Sequence, residues 1–348
     1  MTRSVSKVFG GFLAIALTVV SHASAQVLET SEGKVEFIGL HHWKPAQVRD
    51  TLAVLRPDVP LTSGACAVVL RSEAGFPAAA VTSFSFPDGS FEDHTVVSLV
   101  EPEEADRVRY GAFPADSLAP PDRWERVHEI LVAGGWAAWR LALQHRSRDI
   151  SPAMGSREAR ADSTNYLEFR AFLESRSTQQ DLRTALNVLS RDRNGLNRQI
   201  AVGILGGFPE RQESWHAMVR AARGFGPEDP GRDAAVGMIR ASAHKVPNSI
   251  DWSPVADDLA ALLSGTNLFA FEPVLGLLTR TGLPLALTRD LLADGAPLVV
   301  DHLAAWSPMP RQTARRFLER VSGEEHRDNV PAWRAWIASL EETKAAGK

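Results

Sequence analysis

The chain has 348 residues, 44% of them hydrophobic and 23% charged, with 38 Lys+Arg against 42 Asp+Glu and a formal charge of −4. That composition suits a folded protein, and the length allows two domains of ~100–200 residues each. The mild acidity argues against nucleic acid, which demands a clustered basic surface, and a single cysteine, Cys66, excludes any intrachain disulfide.

The first residues, "MTRSVSKVFGGFLAIALTVVSHASAQ", have the three parts of a secretory signal. Arg3 and Lys7 supply the charge, Val8 to Val20 the apolar run, and Ala23-Ser24-Ala25 the small-residue site. Thirteen apolar residues fall short of the ~20 that a membrane helix needs. Residues 1–25 are therefore expected to be a signal peptide, sending the chain to the periplasm or outside the cell, with no transmembrane segment after cleavage. Cleavage after Ala25 removes two basic residues and no acidic one, shifting the charge from −4 to −6. Gln26 to Phe113 carries 7 basic against 13 acidic residues, so the acidity is concentrated at the front.

Lys34 to Tyr110 reads as strand, helix, helix, strand, strand. "KVEFIGL" is a short β-prone run closed by Gly39. Pro45 opens a helix in which Val48, Leu52 and Leu55 share a face, and Pro57 and Pro60 end it. Thr62 or Ser63 can cap the next helix, whose face carries Cys66, Val69 and Leu70, and Gly75 suits the left-handed position after its last turn. Cys66 lies in "ACAVVL" and is read as a buried, inert side chain. Ala79 to Phe86 and His94 to Val100 are β-prone and flank the turn pair Asp88-Gly89. Val97 and Leu99 fall on one face, expected to lie on the two helices. The result is a three-stranded sheet with helices on one side.

That β-α-α-β-β order, with the "EAGFPAAAV" join and "TVVSLVEPEEADRVRY", resembles a POTRA domain over residues 33–112. Family members often carry Glu-Gly-Pro where this chain has Glu101-Pro102-Glu103. The resemblance implies a periplasmic interaction module that adds a partner's strand to an exposed sheet edge at its second strand. Here the partner-binding residues would be Val81, Thr82, Ser83, Phe84 and Ser85. "AVTSFSF" has no charge or internal proline to blunt such pairing. A loop or the second domain covering this edge is the competing expectation.

Residues 118–348 show almost no strand alternation and read as all-α. Candidate helices span Arg123–Gln144, Asn165–Ser175, Gln179–Ser190, Leu196–Gly206, Arg211–Ala222, Arg232–Ala243, Val255–Ser264, Leu268–Thr279, Ala286–Ala293, Val299–Trp306, Arg311–Val321 and Val330–Glu341. "NRQIAVGILGGF" and "GRDAAVGMIRAS" align 34 residues apart, and Leu278 in "FAFEPVLGLLTR" follows Ile239 by 39. Those periods lie near helical repeats of ~34 to ~47 residues. With Asp192 and Arg198 placed around a second helix, the region resembles HEAT-like repeats; Gly226, one period on, departs from the pattern, and an irregular bundle is the alternative. Trp136, Trp139, Trp333 and Trp336 sit near the two ends and are read as packing residues.

No Walker A loop, G-x-G-x-x-G, H-E-x-x-H or G-x-S-x-G occurs. Adjacent His41-His42 lacks a completing ligand set, and Asp93-His94 and Asp301-His302 are sequence neighbours that do not generally orient one another. No catalytic residue, metal or cofactor is therefore expected. The sequence reads as an exported, non-enzymatic interaction scaffold for a protein or extended peptide partner in a cell-envelope assembly. The alternative is a secreted hydrolase or other enzyme whose site lies in the helical domain.

Overall fold

A computed structural model describes residues 26–84, 94–119, 121–148 and 163–346. The expected signal segment, Ser85 and the Asp88-Gly89 turn lie outside the described residues. The front part contains β1 (Gln26–Thr30), β2 (Gly33–Ile38), α1 (Pro45–Leu55), α2 (Gly64–Ser72), β3 (Ala78–Phe84) and β4 (His94–Val100). Its sheet order is β1-β2-β4-β3, with β2 and β4 parallel and both outer pairs antiparallel. The expected three strands are present, and β1 is a fourth, beginning ahead of the expected boundary at 33. "QVLET" is short and only weakly apolar; pairing with β2, which sets Leu28 against Val35, makes it a strand.

Period-two alternation sorts the sheet's side chains onto two faces. Val35, Phe37, Ala79, Val97 and Leu99 pack on Val48 and Leu52 of α1 and on Cys66, Val69 and Leu70 of α2. Ser63 caps α2, its hydroxyl accepting from Ala65 N at 3.2 Å, and Gly75 takes φ +81° after that helix. The expected face for Val97 and Leu99 is thus the observed one. The sheet is not one-sided, however: Ile38, Ala78, Ala80, Val96 and Val100 join the core of the helical part. Burial of each such Val or Ile contributes about 1.5–3 kcal/mol, which favours covering both faces.

The helices are α3 (Glu125–Val132), α4 (Trp136–Arg148), α5 (Ser163–Glu174), α6 (Gln179–Arg191), α7 (Gly195–Leu205), α8 (Gln212–Arg223), α9 (Pro230–Ser242), α10 (Ala256–Leu263), α11 (Leu268–Thr281), α12 (Leu285–Leu303), α13 (Pro308–Ser322) and α14 (Val330–Ala346). Two expected boundaries shift. Arg123–Gln144 parts into α3 and α4 at Gly134-Gly135, whereas the helices expected on either side of Pro297 run together as α12. From α6 onward, consecutive helices pair and each packs on the helix two places later. One row is α6, α8, α10, α12 and α14; the other is α7, α9, α11 and α13. Trp139 and Trp333 are buried in the core.

The sheet docks near the chain's end, β3 against α11 and β2 against α12. Residues 107–119 then run back across three interhelical loops in reverse chain order. Arg109 N donates to Thr266 Oγ1 (2.9 Å), Gly111 N to the Gly224 carbonyl (2.8 Å), and Arg193 N to the Asp116 carbonyl (2.8 Å). Arg223 holds this strap through the Arg109 carbonyl at 2.6 Å.

Candidate functional site

β3 terminates the sheet, bonding to β4 alone among the described strands. Val81 stands opposite Val97, Thr82 opposite Val96, Ser83 opposite Thr95 and Phe84 opposite His94. The expected residues Val81 to Phe84 therefore lie on an edge strand, as the pairing argument requires. The Ala79 carbonyl accepts from Arg71 Nη1 at 2.9 Å, so it faces away from β4. The main-chain groups of a strand residue point to one side and alternate along the chain. Val81 and Ser83 consequently face the same open side as Ala79. Among the described residues nothing outside the sheet bonds to their main chain.

The edge is bounded at its start. Pro77 has no N–H to offer, and the Arg71 guanidinium reaches from the Ala79 carbonyl to Glu228 at 3.4 Å. Ser83 is exposed, while Val81 and Thr82 are half-buried. Phe84 turns to the other face, stacking on His94 with ring centres 5.4 Å apart, and His94 meets Trp306 edge-on at 5.2 Å. Phe84 thus also serves the junction with the helices.

A second cluster sits at that junction. Gly39, at φ +88° and pressed on the Leu99 backbone where a Cβ would collide, turns the chain from β2 into His41-His42. His41 Nδ1 lies 2.8 Å from Glu104 Oε1, and its Nε2 lies 2.9 Å from Asp301 Oδ2 on α12. The Asp301 bond, with Glu104 adding to it, pushes the imidazole up to about 9. Arg107 closes the group by pairing with Glu104. Buried Glu101 accepts from His42 N (2.8 Å), Trp43 N (2.7 Å) and His42 Nδ1 (2.7 Å). Burial pushes its carboxyl up, but these donors together hold it below the ordinary value.

His42, Glu101 and Glu103 bring possible ligand atoms within 4.8 Å of one another. Glu101 already spends its oxygens on the 41–43 turn, so the set is chiefly a cap on that turn. Asp301 and His302, though sequence neighbours, do not orient one another: Asp301 serves His41, while His302 is buried, pushed down to about 4 by desolvation, and bonds the Leu298 carbonyl at 2.8 Å. His41 instead meets Asp301, 260 positions away, a contact for which local sequence carries no signal.

Two half-open cavities, of about 600 and 490 Å³, flank the strap on the α6–α12 row and share Arg223. The larger has Leu186, Leu189 and Phe225 on its apolar walls and Arg220 and Asp258 among its polar ones. Asp192 and Arg198 meet through the main chain of Asp192. Arg198 Nη1 donates to the Asp192 carbonyl at 3.3 Å, and its Nη2 pairs with the carboxylate of Asp229, which caps α9. The Asp192 carboxylate instead accepts from Asn194 N and Asn197 Nδ2, because those donors are adjacent at the start of α7.

The chain matches no protein-family model, no curated protein and no solved structure.

Proposed function

We propose that this chain is an exported, non-enzymatic interaction scaffold that binds an extended segment of a partner protein by strand addition at β3. The observation that carries the reading is the outward main chain of Val81 and Ser83 on the terminal strand, which has no partner outside the sheet among the described residues. An added strand there gains main-chain hydrogen bonds, while side-chain pockets on either face select the sequence. The POTRA-like order of the front part and the two-row helix stacking, taken as HEAT-like repeats, agree with such a role. Stacked helix pairs present a long surface for a second partner, and the cavities beside the strap lie on it. An envelope location rests on the signal-like residues 1–25. Among the described residues no helix is long and apolar enough to cross a membrane.

The converging His41, Glu104 and Asp301 are the specific observation favouring an enzyme. Both imidazole nitrogens face carboxylates and the ring is held protonated, which makes it a poor general base and a good clasp.

The test is crosslinking and affinity capture of the mature chain from its native envelope, alongside Ser83→Pro. Proline at an outward-facing edge position removes one N–H without touching the β4 ladder. Loss of one reproducible partner from the variant, with circular dichroism unchanged, is the expected result. Equal capture by both proteins would overturn the β3 assignment.

A further inference from the structure

The start of the β3 edge carries a guanidinium that strand pairing does not require. Arg71 is mostly buried and lies across the edge, held by the Ala79 carbonyl and by Glu228, itself 83% exposed. Arg232, also buried, lies beside the Tyr110 hydroxyl and reaches the largely exposed Asp233 at 3.3 Å. The charge of Arg71 also acts on that hydroxyl, so both guanidiniums lie in its neighbourhood. Their acidic partners are solvent-facing, and an incoming anion can exchange with them at little cost.

Direction follows from the pairing rules. β3 runs from Ala78 to Phe84, so an antiparallel partner runs toward Ala79 and reaches Arg71 with its C-terminal end. It exchanges bonds with Ser83, then Val81, and arrives opposite the outward Ala79 N–H. Beyond that point Pro77 offers no donor, and the Arg71–Glu228 bridge stands across the line of the strand. A chain that must stop there, at a site with two guanidiniums, suits a free terminus better than a continuing segment.

We propose that β3 binds antiparallel C-terminal segments, whose terminal carboxylate is received by Arg71 with Arg232 behind it. This rests on the strand-addition reading and adds the partner's class: a protein whose last residues are extended and end in a free carboxylate. Charge-assisted bonds from guanidinium to carboxylate are roughly twice as strong as neutral ones, and Arg offers them in a fixed fork.

The experiment uses the full mature chain and three fluorescein-labelled pentapeptides, read by anisotropy at low salt. One is Lys-Thr-Val-Thr-Val with a free carboxylate, one its C-terminal amide, and one the amide with Glu in the last place. The free acid is expected to bind about tenfold more tightly than its amide. That preference should vanish in Arg71→Gln and persist in Arg71→Lys, and both peptides should lose binding to Ser83→Pro. The acid-to-amide ratio in the unaltered protein stands without any variant. Equal binding of acid and amide, both sensitive to Ser83→Pro, would overturn the carboxylate inference and leave strand addition standing. Recovery of affinity by the Glu amide would overturn the terminal source in favour of an acidic side chain. Binding of neither peptide, or binding indifferent to Ser83→Pro, would sink both readings.

Discussion

His41 Nε2 and Asp301 Oδ2 lie 2.9 Å apart, joining the loop after β2 to α12 across 260 positions of sequence. The ordinary value for His41 is 6.5, and its folded value is about 9. The clasp therefore contributes fully below pH 6.5 and is lost as pH rises through 9. With the ring 29% exposed, screening leaves a contribution on the order of 2 kcal/mol. His41→Gln should lower thermal stability near neutrality and flatten the decline between pH 6.5 and 9. An unchanged alkaline decline in the variant would exclude His41 as its source.

Glu36 lies in the middle of β2, buried at 1% exposure, and its carboxylate accepts the N–H groups of Trp306 and Ser307 where α13 begins. Burial pushes its carboxyl up, partly opposed by those two donors. Glu36→Ala strands both N–H groups and opens a void, so a loss of about 2–4 kcal/mol is expected in urea unfolding. A variant as stable as the parent would mean that water or a shifted loop replaces the carboxylate.

Arg198 couples two consecutive helix pairs through the Asp192 carbonyl and the Asp229 carboxylate, all of them buried. Arg198→Ala leaves the Asp229 charge without its counterion, at a cost of roughly 3–5 kcal/mol. Adding Asp229→Asn removes that charge and should return part of the loss. A double-mutant cycle measures the coupling, and additive effects would show that the pair is energetically idle.

Cys66 is fully buried in the sheet–helix core, and burial pushes its thiol up to about 12. It should resist maleimide at pH 8 in the native protein and react rapidly once unfolded. Prompt native labelling, or an interchain disulfide, would show that the α1–α2 layer opens.

Much of the fold was legible because its signals are local. Proline and glycine bounded α1, α2 and β3, and the alternation of Val97 and Leu99 set the face that meets the helices. Helical spacing placed most of α5 to α14 within a few residues. Local pattern failed where tertiary contact decided: "QVLET" is a strand only against β2, and α12 continues through Pro297 within its packed row. Edge strand β3 was readable as a strand, but its open side was not. That depended on which residue bonds Arg71 and on where the helical part docks.

By itself, then, the sequence determined most of the element types, their order and the acidic, single-cysteine chemistry, since these follow from short-range propensity and composition. Only the tertiary structure decided that the sheet is covered on both faces, that residues 107–119 run back along the helix loops, and that His41 meets Asp301 and Arg71 meets Ala79. Those are long-range contacts, fixed by the burial of surfaces that no window of sequence contains together.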